Sequence, residues 1–336
     1  MNRVAIVVLN YKGMEDTVAC LASLIKQTYQ TYTIVAIENG SGDSSTKEFK
    51  KLETIYGKKL HAIYNQENLG FAGGANTGIR WALDNQFDGI ALFNNDAIAA
   101  PTWLEELVKT HKKQQSGITT GLLLHEHGDT IDSTGDWYSK WGLPFPRSRG
   151  DATKKAPEAG FVFSGSGGAS LYDPAMLREI SLFDETFFAY YEDVDVSFRA
   201  QLAGWKVAYT PKAIAYHKQG STSGKMPGFS VYQTFKNLPL LYIKNVPASL
   251  LIPIGLRFLF AYVMMLGHAI KKGNAVPALR GYFKSIILFW SHALPARRAI
   301  QANKKVETSY IKELLWPDLP PDQTGLRKVR RFFIGK

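Results

Sequence analysis

GIALFNNDA, Gly89 to Ala97, is the stretch whose reading decides the fold. Five uncharged residues run straight into two amides and an acid. A strand this apolar is buried on both faces, as in a parallel sheet covered by helices. In such sheets ligands sit outside the carboxyl ends of the strands. Asn94, Asn95 and Asp96 would then stand at the ligand edge.

The same pattern repeats toward the N-terminus. Val4–Leu9 (VAIVVL) is a continuous β-branched run that ends at Asn10 and Tyr11. Residues Glu15–Gln27 follow with helical spacing, Val18, Leu21, Leu24 and Ile25 on one face. Thr33–Ile37 is a second strand, ending in the polar loop ENGSGDSS, and Thr46–Ile55 a helix. Leu60–Tyr64 is a third strand, followed by NQENLGFAGGANTGIR and a helix over Asn76–Asn85. Strands alternating with helices at this spacing predict an α/β sandwich with a mainly parallel sheet. Residues 125–160 are loop-rich, a length that marks a functional loop. Phe161–Tyr172 (FVFSGSGGASLY) reads as one strand interrupted by glycines, which allow close approach of a ligand or another backbone.

FFAYYEDVDVSFRAQLAGWK, Phe187 to Lys206, raises a different question. Four aromatics lead into Glu192, Asp193 and Asp195, which open a helix that Gly204 would stop. One acid there complements the helix dipole. Three repel one another, so a metal, a cationic partner or a raised pKa must offset the charge. A carboxylate with a raised pKa is a candidate general base. His217 closes the strand KVAYTP–AIAYH and reads equally as a structural residue or a ligand.

The other strand ends also carry two readings. Asn94-Asn95-Asp96 closes a strand as turn residues do. It also offers the oxygen-rich donors that suit Mg²⁺ or Mn²⁺ held jointly with a phosphate. Asp43 and Ser44 can cap a helix, or Glu38 and Asp43 can bond a base or ribose. NLGFAGGANTGI suits approach of phosphate or sugar, without the spacing of a dinucleotide fingerprint or a P-loop. The missing fingerprint disfavours an NAD-dependent oxidoreductase. Aromatics Phe188, Tyr190 and Tyr191, with Trp137 and Trp141, are either core or a sugar platform.

The 336-residue chain is long enough for one large domain or two smaller ones. Its single cysteine, Cys20, excludes an internal disulfide and multi-cysteine metal sites. The N-terminus lacks a basic region and a cleavage site, so a cytosol-facing chain is expected. Of the net charge of +11, residues from Lys271 onward hold a surplus of 10, with 14 Lys and Arg against 4 Asp and Glu. Val246–Ile270 carries one charge, Arg257, in 25 residues, and Ser285–Leu294 is a second apolar patch. Pro253, Gly255 and Arg257 interrupt a membrane span. Helices lying in the membrane interface are favoured, with a buried helical subdomain, a dimer interface and a true span as alternatives. The tail has no nucleic-acid motif, and its basic residues are mixed with apolar runs, so no nucleic-acid partner is expected.

VVLNY, ENGSGD, NLGFAGGANTGI, LFNNDA, SGSGGASLY, FDETFFAYYEDVDVSFRAQLAGWK and AYH, in this order, resemble inverting glycosyltransferases of family 2, most of all the bacterial rhamnosyltransferase-like branch. The resemblance covers roughly residues 3–223. It implies a GT-A fold, a Rossmann-like nucleotide-binding half over 1–100 fused to an acceptor half over 101–230, with 231–336 a helical, basic, membrane-associating region. It implies Asp193 as catalytic base and Asp96 as ligand of Mg²⁺ or Mn²⁺, with His217 completing the metal shell. Asn94 stands where the full motif has a second acid. Asn10, Glu38, Asp43, Asn68, Gly73, Asn76 and Asn95 match positions near the donor nucleotide. Glu192, Asp195, Tyr191 and Trp137 are expected to orient the base or hold the acceptor. The expected partners are a nucleotide-sugar donor, dTDP-rhamnose or a UDP-hexose, and a saccharide or lipid-linked acceptor in cell-surface polysaccharide synthesis. An anionic membrane surface at the cytoplasmic side of the inner or plasma membrane would engage residues 246–336, and a homodimer is an open alternative. A nucleotide-sugar-binding protein with little transfer activity is the competing reading.

Overall fold

A computed structural model describes residues 1–220, 224 and 226–321; the basic run 327–336 lies outside the described residues. The chain begins with β1 (Val4–Asn10), α1 (Met14–Leu24), β2 (Tyr32–Asn39), α2 (Ser45–Tyr56), β3 (Leu60–Asn65), α3 (Gly70–Asp84) and β4 (Gly89–Asn94). These four strands lie side by side in the order β3-β2-β1-β4, all parallel. The apolar runs of β1, β2 and β4 are buried on both faces, as a parallel sheet covered by helices requires, and the edge strand β3 is half-covered. Strand order reverses at β1, which pairs with both β2 and β4. A crevice opens at the carboxyl ends beside such a switch point.

Helix α3 starts at Gly70, six residues before the expected Asn76. Glycine disfavours a helix interior, but packing outweighs that cost here. A methyl group on Gly74 would strike Leu9, and one on Gly78 would lie 2.5 Å from Val7. The glycine run therefore lets a helix lie close against β1 rather than forming a loop.

The second half continues with β5 (Ala97–Ala99), α4 (Trp103–Gln114), β6 (Ile118–His125), β7 (Ile131–Ser133), β8 (Asp136–Tyr138), β9 (Pro144–Pro146), β10 (Gly160–Val162) and β11 (Ala169–Tyr172). Then come α5 (Pro174–Ile180), α6 (Glu192–Leu202) and β12 (Val207–His217). Strands β11, β6 and β12 extend the sheet beyond β4, with β10 at the far edge. Strand β11 runs antiparallel to both neighbours, so the sheet is mixed rather than mainly parallel. The expected interrupted strand over 161–172 is two strands, β10 and β11, that lie apart in the sheet. The loop-rich segment 125–160 holds β7 and the β8–β9 hairpin.

Two pairings matter for the site. Register between β12 and β5 sets His217 opposite Ala97, next to Asp96. Pairing of β7 with β6 brings Asp132 to the same corner.

The chain ends in helices α7 (Phe229–Asn245), α8 (Ala248–Lys271), α9 (Ala275–Leu288), α10 (Leu294–Ala302) and α11 (Thr308–Leu314), with a π-helical turn over Phe289–Ala293. They share one core with α6 and the β8–β9 hairpin. Phe235, Leu238, Leu241 and Phe258 pack in the same cluster as Tyr138, Phe163 and Phe198. Helix α8 buries one stripe, Ile254, Phe258, Ala261, Tyr262 and Ala269, and exposes the rest of its apolar surface.

Candidate active site

A cavity of about 850 Å³ opens at the carboxyl ends of β1 and β4. Asp96, His217 and Arg149 line one part of it, and Glu192 and Asp193 another. Between them run Ser166, Gly167 and Gly168, from the loop that joins β10 to β11.

The first group is built on strand ends. His217 Nε2 lies 3.0 Å from Asp96 Oδ1, and its Nδ1 lies 2.7 Å from Asp132 Oδ2. Burial works against the charged ring, but the hydrogen bonds to Asp132 and Asp96 outweigh it and raise the pKa to about 9. Both ring nitrogens therefore donate at neutral pH. Asp132 is buried and pairs with Arg149 at 2.8 Å. Its pKa stays below the usual carboxylate value, because His217 and Arg149 outweigh its burial.

The second group stands at the N-terminus of α6. Asp193 Oδ2 accepts from the Gly167 backbone N–H at 2.9 Å, and Oδ1 from that of Val194 at 2.8 Å. Burial nevertheless raises its pKa against those bonds. Glu192 is 6% exposed, and its Oε2 finds no hydrogen-bond partner among the described residues. Burial and the neighbouring Asp193 charge push its pKa up to about 8. The Glu192 carboxyl is protonated at neutral pH and can donate.

Glycine forms the floor between the two groups. A methyl group on Gly168 would lie 2.9 Å from the Asn94 amide, and one on Gly167 3.2 Å from Asp193 Cβ. Side chains here would fill the space between the two acidic centres.

One wall is a strained turn. Phe188 adopts φ 62° and ψ −59°, and the Ala189 N–H bonds Phe187 O at 2.7 Å, closing a γ-turn of the rare kind. Tyr190 and Tyr191 follow at φ 70° and 71°. Each such conformation costs about 1–3 kcal/mol and is characteristic of functional sites.

The remaining residues singled out in the sequence divide into two sets. Asn68, Asn95 and Tyr191 line the cavity with Asp96, His217, Glu192 and Asp193. Asn68 accepts from the Asn39 amide at 3.1 Å, and Asn95 donates to Thr17 at 2.9 Å. The structure does not bring the others to the cavity. Asn10 bonds Thr17 and Ser41 below the strand end. Glu38 accepts from the backbone of Gly40 and Ser41. Asp43 accepts from the Ser45 N–H at the start of α2. Gly73 lies inside α3 against Leu69. Asn76 holds the segment near Phe183 by bonds of 2.8 and 3.1 Å. Trp137 packs on Trp316 beside Arg147, and Trp141 on Phe260.

Asp195 turns away from the cavity. It is fully buried and meets Arg199 at 2.9 Å and both Lys244 and Asn245 at 2.8 Å. Lys244 also pairs with Asp184. Burial raises the Asp195 pKa, but Lys244 and Arg199 outweigh it and hold it below the usual range.

Among the charged residues that escaped the sequence reading, Asp136 and Arg149 line the cavity and Asp132 lies buried behind His217. All lie in the segment 125–160, whose length was the only signal. Asp136 is buried, and desolvation followed by the Asp193 charge raises its pKa well above the usual value. Among the described residues no group of three or more His, Cys, Asp or Glu could hold a metal alone.

A family model described as Glycosyltransferase like family 2 matches residues 2–236, most of the chain. The protein belongs to that family. This glycosyltransferase is 24% identical over 243 residues to the low-salt glycan biosynthesis hexosyltransferase Agl10 of Haloferax volcanii, covering 70% of this chain and 74% of that one. It is 36% identical over 62 residues to an N-acetylglucosaminyl-diphospho-decaprenol L-rhamnosyltransferase of Mycobacterium tuberculosis, 18% and 20% of the two chains. Solved structures confirm the GT-A fold of the glycosyltransferase. The mannosyltransferase PcManGT of Pyrobaculum calidifontis, in complex with GDP-Man and Mn²⁺, is 14% identical at a TM-score of 0.55, covering 93% of this chain and 83% of that one. GalNAc-T7 with UDP, GalNAc and Mn²⁺ is 17% identical at a TM-score of 0.59, with 72% and 48% covered, so the match spans about half of that chain.

Proposed function

We propose that this glycosyltransferase inverts configuration, moving a sugar from a nucleoside diphosphate to a saccharide or lipid-linked saccharide. The observation that supports it is one cavity lined at one part by the Asp96–His217 pair and at another by Asp193, with glycine backbone between. In an inverting displacement the acceptor oxygen bonds the anomeric carbon as the bond to the diphosphate breaks. The hydroxyl proton must leave during attack, and Asp193 takes it. Its raised pKa makes it a better acceptor than an exposed carboxylate, and the Gly167 and Val194 N–H groups fix its oxygens. Protonated Glu192 donates toward the substrates, and Tyr190 and Tyr191 line the same wall of the cavity.

The donor set at the first group fits a divalent cation. Asp96 and His217 Nε2 lie within 3.0 Å of each other, and Asp132 behind Nδ1 orients the ring as metal-bound histidines require. Asp96 and His217 would hold Mg²⁺ or Mn²⁺ in place of the proton they now share. Such an ion would stabilise charge developing on the departing diphosphate. Arg149 lines the same region and adds a cation of the protein's own.

The mycobacterial relative's name includes a decaprenol-linked acceptor and L-rhamnose. That supports a lipid-linked acceptor and dTDP-rhamnose as first donor, with UDP-hexose second. Residues 1–230 form the catalytic unit and 231–336 its membrane-facing support. The occupant of the apolar face on α8 and α9 is an anionic lipid surface. Ile252, Leu256, Leu259, Phe260 and Val263 are exposed on α8, and Val276, Phe283, Ile287 and Trp290 beyond it. Exposed Lys271, Lys272, Arg280 and Lys284 border that face. Apolar area rimmed by cations suits insertion between charged headgroups. Among the described residues α8 is long and apolar enough to cross a membrane, yet exposed Arg257 near its middle favours an interfacial position.

The test is a donor screen with UDP-, dTDP- and GDP-sugars, with and without Mn²⁺ or Mg²⁺ and a membrane lipid extract as acceptor. Metal-dependent release of one nucleoside diphosphate, lost in Asp96→Ala, is expected. No release from any donor would favour a nucleotide-sugar-binding protein.

A further inference from the structure

We infer that Asn237 and Lys236, on α7, are positioning residues that hold the Phe187–Tyr191 turn, and with it Asp193, in the geometry needed for transfer. This rests on the reading of Asp193 as the base. The Asn237 amide spreads its two hydrogens over three carbonyls of the turn: Phe187 at 3.0 Å, Ala189 at 2.8 Å and Tyr190 at 2.9 Å. Lys236 Nζ donates to Thr186 O at 2.9 Å and Phe187 O at 3.2 Å. From the other side, the Ala72 N–H at the start of α3 bonds Phe188 O at 3.1 Å.

The turn left to itself would relax. Phe188, Tyr190 and Tyr191 sit at positive φ, and the carbonyls of Phe187, Ala189 and Tyr190 converge on one amide, an arrangement that a cluster of donors stabilises. Relaxation would move Phe188, Tyr190 and Tyr191, which line the cavity, and the start of α6, where Asp195 N–H bonds Tyr191 O at 2.9 Å. Asp193 is two residues past the turn. Asn237 Oδ1 is buried and has no hydrogen-bond partner among the described residues, so the amide is retained there for its donors. Through Lys236 and Asn237 the helical region thus supports the reaction centre from behind the turn.

The test compares Asn237→Leu and Lys236→Met with the native full-length chain. Three readouts are taken: binding of UDP and dTDP with Mn²⁺ by calorimetry, transfer from the donor active in the native protein, and hydrogen exchange of residues 186–194. The inference expects nucleotide affinity to hold while the transfer rate falls about 100-fold, as misplacement of a reacting group by about 1 Å can cause. Exchange in 186–194 should quicken without a change in the β1–β4 sheet. Lys236→Met keeps the side-chain stem, and it decides the matter if Asn237→Leu does not fold. Native transfer or native exchange in a folded variant overturns the inference, and so does a parallel loss of nucleotide affinity and rate. A native protein that turns over no donor refutes the transfer reading instead, and the exchange arm alone then decides the clamp.

Discussion

Replacing Asp193 by asparagine tests the assignment of the base. The substitution keeps shape and removes the charge and the proton-accepting oxygen. Loss of a positioned general base costs about 10²–10⁴-fold in rate, or about 3–5 kcal/mol of barrier at 1.36 kcal/mol per tenfold. The structure sets a second cost. Each Asp193 oxygen accepts one backbone N–H, from Gly167 and Val194. An amide has one oxygen, so one of those donors would face an NH₂ group. A buried donor left without an acceptor costs about 1–3 kcal/mol, and removal of a buried charge offsets part of it. The pH dependence follows from the raised pKa of Asp193. The base works ionised, so native transfer should fall as pH drops through a value above that of an ordinary carboxylate. The residual rate of the variant should lose that limb. The assay is steady-state release of nucleoside diphosphate across pH 4–9, with nucleotide binding by calorimetry alongside. A variant that retains transfer within tenfold of native, or keeps the acid limb, would refute Asp193 as the base.

Glu192→Gln mimics the protonated form that a pKa of about 8 gives at neutral pH; rate at pH 7 should be retained, and an alkaline loss near pH 8 in the native enzyme should vanish. Lys244→Met strips the cation shared by Asp195 and Asp184 and should cost about 3–5 kcal/mol in urea unfolding at pH 7. Both carboxyls have folded pKa values below their unfolded ones, so the native stability they give is present above about pH 4 and lost in acid; the deficit of the variant should therefore shrink as pH falls. Gly168→Ala should push on the Asn94 amide and lower transfer, read as kcat against KM, with little change in thermal midpoint. Phe283→Asp with Trp290→Asp should abolish cosedimentation with anionic phosphatidylglycerol vesicles and leave nucleotide binding unchanged; undiminished binding would place the membrane contact elsewhere.

The parallel half of the fold was legible because its signals are local. The apolar runs over Val4–Leu9 and Gly89–Phe93 can be buried only in a sheet covered on both faces. Asp96 and His217 were legible as strand-end residues, but their contact depends on β5 pairing with β12, more than 100 residues apart. Asp132 and Arg149 join them through a loop whose sequence has no period to read. The start of α3 was missed because glycine argues against a helix, and only the approach of Leu9 and Val7 shows why it is used. Strand β11 was missed as a separate strand because nothing local records that the chain crosses the sheet between Val162 and Ala169. The direction of Asp195 was legible. Residues two apart on a helix lie on different faces, so Asp193 and Asp195 could not both face one cavity.

The three acids at the start of α6 show how mutual repulsion is resolved without dispersing the charge. Asp195 remains ionised because Arg199 and Lys244 neutralise it, and in doing so it fastens α6 to α7. Glu192 avoids the problem by keeping its proton, since burial and the Asp193 charge outweigh the more distant Lys236, and it forms no ion pair among the described residues. Asp193 lies between these extremes. Two backbone N–H groups stabilise its charge, and burial opposes them. Its affinity for a proton is therefore raised without being saturated, which is the condition a general base must meet near neutral pH. If Glu192 were ionised as well, the repulsion would hold a proton on one of the pair at neutral pH. If Asp195 faced the cavity, its cations would follow it there and lower the proton affinity of Asp193. The spacing Glu-Asp-Val-Asp on one helix turn puts Asp193 and the neutral Glu192 on the cavity and the neutralised Asp195 behind them.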